Sequence, residues 1–367
     1  MAESAHAPLA DGWAVELEPV QLLAPDGMVT GETRFSRDLA PETLGRLYEL
    51  MAVTRELDTE FVNLQRQGEL ALYASCRGQE AAQIGAAACL RRTDWLFPQY
   101  REMGVFLVRG ITPAQRGVVW RGSSHGGLDF VANCCAPICI PIGSQALHAV
   151  GAAMAAQRLG EDSVTVAFLG DGATSEGDVH EAMNLASVFC VPCVFYVQNN
   201  QWAISVPVSR QLAAPSIAHR AAAYGIPGIR VDGNDVLACH AVMTAAVERT
   251  RAGGGPVLIE AVTYRMGPHT TSDDPTRYRD PDEVEAWGAR DPLIRFRTHL
   301  QNTGIWTERF EQRVNSQATR LRKELRDAIV GAPDPDLTEM FDTVYADITP
   351  NLAQQREQLR AELAKEA

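Results

Sequence analysis

The chain has 367 residues, a formal net charge of −13 and ordinary shares of apolar and charged residues, as expected of a globular protein with a substantial core. The excess of acidic residues, with no basic stripe, argues against a nucleic-acid partner. The longest apolar runs have the length of strands, which excludes a membrane-spanning helix.

The first residues and the cysteines indicate where the protein works. The segment MAESAHAPLADGWAVELEPV has neither the pattern of a secretion signal nor that of a transit peptide, so we expect a bacterial cytoplasmic protein, with a mature mitochondrial protein as the alternative. The eight cysteines do not follow the spacing of a disulfide framework. Cys190-x-x-Cys193 is compatible with a redox or zinc site, but its apolar surroundings favour buried thiols in a reducing cytosol.

In chain order, the first predicted elements are an arm and two helices. Residues 1–38 are rich in Pro, Gly and Ala, which favours an extended arm lying on a neighbour. Pro41–Gln67 has apolar residues at helical spacing, and Ala81–Leu90 reads as a helix of small residues that packs closely on a sheet. Tyr100-Arg101 follows a proline at a predicted loop-to-helix entry. An arginine there binds a phosphate in bidentate fashion or, alternatively, forms a surface ion pair.

The Gly170-Asp171-Gly172 stretch is the most informative part of the chain. Val164–Leu169 before it is a short β-branched run, so the glycines mark a turn at a strand end. Asp178-x-x-Glu181 has the pattern of a helix start in which Asp178 caps the free N–H groups. Val191–Val197 reads as the next strand, and Asn199-Asn200 follows it.

This strand–turn–helix–strand unit brings acidic and amide oxygens to the carboxyl ends of neighbouring strands, where open parallel sheets bind ligands. Glycines beside Asp171 allow close backbone approach to an anion, and hard oxygen ligands suit Mg²⁺. The unit therefore predicts a magnesium-diphosphate site. A turn without a ligand is the alternative.

The alternation of helix and strand continues downstream. Its segments are Pro215–Tyr224, Ile229–Val231, Asp235–Arg251 and Val257–Val262. Right-handed crossovers would make this a doubly wound parallel sheet with helices on both faces. We expect an α/β domain at 39–330 between the arm at 1–38 and a C-terminal helical extension at 331–367. The final helix, Pro350–Ala367, is charged on most faces and is expected to meet another subunit.

The polar stretch Tyr264–Pro275 follows the last predicted strand directly. It should form a mobile loop at the same sheet edge as Asp171, and it carries His269. A lone loop histidine is often merely solvated. A neutral imidazole near a phosphate or a reacting group would instead serve hydrogen bonding or proton transfer.

Gly-Asp-Gly, followed at this spacing by Asn-Asn, resembles the thiamine diphosphate fingerprint. The fuller text GDGATSEGDVHEAMNLASVFCVPCVFYVQNNQWAIS resembles the alpha subunit of the decarboxylating component of 2-oxo acid dehydrogenase complexes. The resemblance runs from about Leu39 to Trp306 and implies the thiamine diphosphate-binding fold.

The resemblance also implies roles for individual residues. Mg²⁺ would be held by Asp171, Asn200 and the main-chain oxygen of Trp202, where relatives carry Tyr or Phe. Tyr100 and Arg101 would contact the diphosphate. His269 would contact the diphosphate and serve acyl transfer. Further positions that match cofactor contacts are Gln99, Ile140, Ile142, Gly170, Gly172, Ala173 and Gln198.

Three matches to the family are partial. Gln198 stands where branched-chain relatives have a phosphate-facing Arg, so hydrogen bonding is kept and charge is lost. Ser144 and Gln145 match positions that bind a structural K⁺ in branched-chain relatives. His125 lies where relatives carry a Gly-rich segment ending in Met-His, which suggests an active-site role.

In the family, the carboxylate that activates the cofactor comes from a beta subunit. The resemblance therefore implies a heterotetramer of two alpha and two beta subunits, a 2-oxo acid substrate and transfer of the acyl group to a lipoyl-bearing acyltransferase. Motifs of branched-chain and of pyruvate enzymes both occur, and the branched-chain reading is favoured. A non-catalytic structural subunit and a nucleotide-binding protein are the rivals from other classes. The nucleotide reading lacks a phosphate-loop Lys and a dinucleotide Gly pattern.

Overall fold

Five parallel strands form the central sheet of the structure, a computed structural model that describes residues 17–122, 128–334, 336–342 and 344–366. In chain order, the strands of this sheet and of one separate hairpin are β1 (Trp95–Phe97), β2 (Thr165–Gly170), β3 (Cys193–Asn199), β4 (Trp202–Ala203), β5 (Val206–Pro207), β6 (Gly228–Asp232) and β7 (Val257–Val262). The sheet has the order β1-β2-β3-β7-β6, and β4 pairs with β5 as a separate antiparallel hairpin. The short strand β1 was not predicted.

Helices cover both faces of this sheet, as predicted. Alternate residues of β2 enter different cores: Val166 and Phe168 pack with α-helical residues on one face, and Ala167 and Leu169 pack on the other. The helices are α1 (Pro41–Arg66), α2 (Glu80–Ala88), α3 (Met103–Arg109), α4 (Pro113–Trp120), α5 (Ser144–Leu159), α6 (Gly177–Val188), α7 (Val236–Arg249), α8 (Pro281–Gly288), α9 (Pro292–Asn302), α10 (Glu308–Val330), α11 (Glu339–Asp342) and α12 (Pro350–Glu366). In the described ranges, no helix is both long and apolar enough to cross a membrane.

The start of α6 differs from the prediction. A 3₁₀ turn at Gly172–Ser175 comes first, so Glu176 is the N-cap residue and makes no side-chain capping bond. Asp178 therefore lies inside the first helical turn, and the predicted cap at Asp178 is wrong. Its carboxylate is still favourably placed near the positive end of the helix dipole.

The described part of the N-terminal arm packs on its own chain. Val20 forms a parallel bridge with Val231, so the arm continues the sheet beyond β6. Leu22 and Leu23 are fully buried, and the Asp235 carboxylate accepts hydrogen bonds from both of their N–H groups at 2.7 and 2.6 Å. Residues 20–23 thus pack against the rest of their own chain, whereas we expected the arm to pack against a neighbour.

All eight cysteines are free, including Cys190 and Cys193. Within the described ranges, no group of three or more His, Cys, Asp or Glu side chains is arranged to hold a metal ion. The second finding argues against the zinc reading of Cys190-x-x-Cys193, and the free thiols argue against a disulfide there.

Candidate active site

A cleft opens at the carboxyl edge of the sheet, above the ends of β2 and β3. Its cavity volume is about 240 Å³. Its lining residues are Gln99, Tyr100, Arg101, Ile142, Gly170, Asp171, Gly172, Ala173, Glu176, Asn200, Trp202, Ala203, Ile204 and His269. Tertiary structure therefore gathers most of the predicted cofactor residues in one place.

Register explains why Asp171 and Asn200 meet. Gly170 of β2 pairs with Gln198 of β3, so the residues that follow the two strands emerge side by side. Asp171 is almost completely buried, and Gln211 Nε2 donates to its Oδ2 at 3.0 Å. Burial raises the pKa of Asp171, and the hydrogen bond from Gln211 opposes that rise.

Asn200 and Trp202 present oxygen atoms beside this carboxylate. The Oδ1 of Asn200 accepts a hydrogen bond from the Trp202 N–H at 3.3 Å. Gln201, directly before Trp202, and Ile204, two residues after it, have φ of 75° and 54°, an unfavourable left-handed conformation for these residue types. The Trp202 carbonyl accepts from Arg265 Nη1 at 3.0 Å and has a second lone pair.

These three oxygen donors fit Mg²⁺ by their chemistry. A carboxylate, an amide oxygen and a main-chain carbonyl are hard ligands, and Mg²⁺ completes its octahedron with phosphate oxygens and water. A Cβ on Gly172 would approach the Ala203 Cβ to 2.7 Å, so only glycine lets the hairpin lie this close to the turn. The metal assignment itself remains a prediction.

Two guanidinium groups converge on His269. Arg101 Nη2 lies 3.2 Å and Arg265 Nη1 lies 3.3 Å from His269 Nδ1. Burial, assisted by both arginines, lowers the pKa of His269 to about 3. Guanidinium N–H groups only donate, so Nδ1 must offer its lone pair and the proton lies on Nε2. His269, which lines the cleft, is therefore neutral and carries its N–H donor on Nε2.

The family follows from comparison with known proteins. A family model described as the dehydrogenase E1 component matches residues 48–338, most of the chain. The chain belongs to the dehydrogenase E1 component family. This confirms the family predicted from the motifs.

Relatives cover nearly the whole E1 chain. The 3-methyl-2-oxobutanoate dehydrogenase subunit alpha of Mycobacterium tuberculosis (strain ATCC 25618 / H37Rv) is 70% identical over 365 residues, covering 100% of both chains. The pyruvate dehydrogenase E1 component subunit alpha of Staphylococcus aureus (strain Mu50 / ATCC 700699) is 40% identical over 347 residues, covering 93% of this chain and 92% of the relative. That of Acholeplasma laidlawii is 39% identical, covering 91% and 97%.

Arg265 is a site residue of this E1 chain that was not predicted from the sequence. It is fully buried, and it donates to the carbonyls of Trp202 and Ile204 and to the hydroxyl of Tyr278. Burial lowers the pKa of Arg265 to about 10, so the group stays charged at neutral pH. It joins the β4–β5 hairpin to the His269 loop. Its position three residues after the end of β7 was the available signal, but that position is equally compatible with a solvated arginine.

Gln198 and Ile140 lie outside the cleft lining. Gln198 is fully buried, and its Nε2 donates to Glu102 Oε1 at 2.7 Å, an oxygen that also accepts from Gln99 at 3.0 Å. Burial raises the pKa of Glu102, and the two amide donors oppose the rise. Ile140 is 55% exposed. Gln198 thus contacts the E1 cleft wall from behind, through the Glu102 carboxylate that it shares with Gln99. A contact between Gln198 and a phosphate remains a prediction.

Two expectations concern the segment before α5 and the first residues of that helix. His125 lies outside the described residues of the E1 chain. Ser144 Oγ donates to the Pro141 carbonyl at 2.9 Å, and Gln145 Nε2 donates to the Phe168 carbonyl at 2.9 Å. The K⁺ site at Ser144 and Gln145 remains a prediction.

Proposed function

We propose that this chain is the alpha subunit of a branched-chain 2-oxo acid dehydrogenase that acts on 3-methyl-2-oxobutanoate. The observation that carries the substrate is the 70% identity, over the full length, to the subunit alpha of an enzyme named for that substrate. The pyruvate enzymes are less similar, at 39–40% identity. Pyruvate is therefore the second candidate substrate.

The cofactors proposed are thiamine diphosphate and Mg²⁺. Asp171, Asn200 and the Trp202 carbonyl would hold the metal, and Arg101 would bind the diphosphate through its guanidinium. When bound, the cofactor would supply the carbanion chemistry that decarboxylates a 2-oxo acid.

His269 would act as a donor in this site. Its neutral ring offers Nε2–H to a phosphate or acyl oxygen, while Nδ1 is occupied by Arg101 and Arg265. With a pKa near 3, the ring would not accept a proton at neutral pH. This favours hydrogen bonding over general-base catalysis for His269.

The partners proposed are a beta subunit, in a heterotetramer of two alpha and two beta subunits, and a lipoyl-bearing acyltransferase in the bacterial cytoplasm. The cleft offers Asp171 and Glu176 as its carboxylates. Asp171 is assigned to the metal, and Glu176 is the N-cap residue of α6. The activating carboxylate is assigned to the beta subunit, so the alpha chain alone should be inactive.

The test mixes the purified alpha chain with its beta subunit, Mg²⁺ and thiamine diphosphate. Initial rates with 3-methyl-2-oxobutanoate, 4-methyl-2-oxopentanoate and pyruvate, measured with an artificial electron acceptor, should rank the branched-chain acids above pyruvate. A preference for pyruvate would reverse the substrate assignment. Full activity of the alpha chain alone would contradict the shared site.

The Asp171→Ala variant of the assembled enzyme tests the metal assignment. Loss of its carboxylate should abolish Mg²⁺-dependent binding of thiamine diphosphate and leave the circular dichroism spectrum unchanged. Unchanged activity in this variant would favour a non-catalytic structural subunit.

A further inference from the structure

Gln211 holds the carboxylate of Asp171 from a separate segment of the chain. Its two amide hydrogens have two acceptors: Asp171 Oδ2 at 3.0 Å and the Val206 carbonyl at 2.9 Å. Rotating the amide by 180° would place Oε1 against two oxygen atoms. The chemistry of the partners therefore sets the orientation of the Gln211 amide.

Gln79 holds the other side-chain ligand, Asn200. Asn200 Nδ2 donates to Gln79 Oε1 at 3.4 Å, and Asn200 Oδ1 accepts from the Trp202 N–H. Both contacts place the amide nitrogen toward Gln79 and keep the oxygen on the side of Trp202. One lone pair of Oδ1 remains for a cation.

Each glutamine has one side-chain amide atom that makes no hydrogen bond within the described part of the chain. Gln79 Nε2 and Gln211 Oε1 are buried and have no hydrogen-bond partner there. Each unpaired atom is unfavourable, while the other half of each amide bonds a proposed metal ligand. What the two amides have in common is therefore the orientation of Asp171 and Asn200.

We propose that Gln79 and Gln211 are positioning residues for Mg²⁺. Gln211 sets the rotation of the Asp171 carboxylate, and Gln79 directs the Asn200 oxygen toward the cation. This inference rests on the proposed function, since it takes Asp171 and Asn200 as metal ligands. Partners of metal ligands typically change metal affinity by about 10–100-fold when they are removed.

The experiment uses Gln79→Met and Gln211→Met, which keep side-chain length and remove the amide. In the assembly with the beta subunit, Mn²⁺ binding in the presence of thiamine diphosphate is followed by electron paramagnetic resonance. Each variant should bind Mn²⁺ about 10–100-fold more weakly than the wild type. The Mg²⁺ concentration for half-maximal rate should rise similarly, with little change in kcat at saturating Mg²⁺.

Gln201→Met is the matched control, because Gln201 lies between the two ligands and its side chain binds Asn199 and the Thr263 carbonyl instead. Its Mn²⁺ affinity should equal that of the wild type. Wild-type Mn²⁺ affinity in both test variants would overturn the inference, as would a loss that saturating Mg²⁺ does not restore. Failure of the wild type itself to bind Mn²⁺ with thiamine diphosphate would instead overturn the proposed function.

Discussion

At the residue scale, the environment of His269 determines its chemistry. An imidazole with an ordinary pKa of about 6.5 would be partly protonated near neutral pH and could exchange protons. Here, burial and the two guanidinium groups disfavour the imidazolium form. His269 also donates its backbone N–H to Asp273 at 2.8 Å, which ties the two ends of the loop turn together.

The pH dependence of the enzyme should reflect this depressed pKa. In the wild type, the His269 ring should show no titration between about pH 5.5 and 8, as measured by NMR of its ring protons. Arg265→Met removes one cation and should raise the His269 pKa. Arg279→Met is the control, because Arg279 binds loop carbonyls without contacting His269. A wild-type titration near 6.5 would contradict the assignment.

The lowered pKa of His269 also makes the free energy of unfolding depend on pH. Its folded-state pKa of about 3 lies below the unfolded value of about 6.5, so between those values the unfolded chain binds more protons. The contribution of the neutral His269 ring to the free energy of unfolding is therefore fully present above about pH 6.5. It is lost as the pH falls toward 3. Unfolding midpoints in urea should decline over this range less steeply in His269→Gln than in the wild type.

At the element scale, helices with small residues pack unusually closely. A Cβ on Gly85 of α2 would come within 2.6 Å of the Cys239 Cβ and 2.8 Å of the Val236 carbonyl of α7. Contact at this distance leaves no room for a methyl group without moving a helix. The small residues predicted for Ala81–Leu90 therefore serve the contact of α2 with α7. They also pack on the sheet as expected, since the Tyr196 hydroxyl of β3 donates to the Ala82 carbonyl at 2.9 Å.

Two glycine substitutions separate packing from helix propensity. Gly85→Ala should lower the free energy of unfolding by about 1–3 kcal/mol, because the new methyl group overpacks the α2–α7 contact. Gly151→Ala in α5, where a Cβ meets nothing within 4 Å, should raise it by up to about 1 kcal/mol. Urea unfolding of the isolated chain measures both, and an unchanged Gly85→Ala midpoint would disprove the close contact.

At the scale of the whole molecule, the arm is part of the α/β domain. Arg295 of α9 donates to Asp232 at 2.8 Å and also to the Leu23 carbonyl, so it joins α9, the sheet edge and the arm. Gln21 donates to the same Asp232 carboxylate at 2.7 Å. Residues 20–23 therefore belong structurally with β6, although the sequence assigned them to a separate region.

Truncating one leucine of the arm tests whether the arm is an integral part of the α/β domain. Leu22 is fully buried, so Leu22→Ala should lower the free energy of unfolding by about 2–5 kcal/mol through lost burial and a cavity. Leu17→Ala is the matched control, since that side chain is 58% exposed and should change stability little. Equal midpoints for the two variants in urea unfolding would show that the arm is not integral to the domain.

Local pattern was sufficient for the long elements and located the two central strands to within two residues, since β3 runs on to Asn199 where Val197 was the predicted end. The helix predicted at Pro41–Gln67 occupies Pro41–Arg66, because apolar spacing over seven turns leaves little ambiguity. Strand β1 has three residues, too few for a periodicity, and only its pairing with β2 defines it. The start of α6 was misplaced because a 3₁₀ turn ahead of it carries no strong sequence signal.

The site residues likewise fall into those that local pattern predicts and those that it does not. Asp171 and Asn200 follow from a motif whose spacing matches one strand–helix–strand unit. Gln211, Gln79 and Arg265 were not predicted, because their partners lie 40, 121 and 63 residues away along the chain. A glutamine or arginine has the same local pattern whether it is solvated or bonded inside a cleft. Those hydrogen bonds exist only when distant segments fold against each other, and short-range pattern contains no information about that contact.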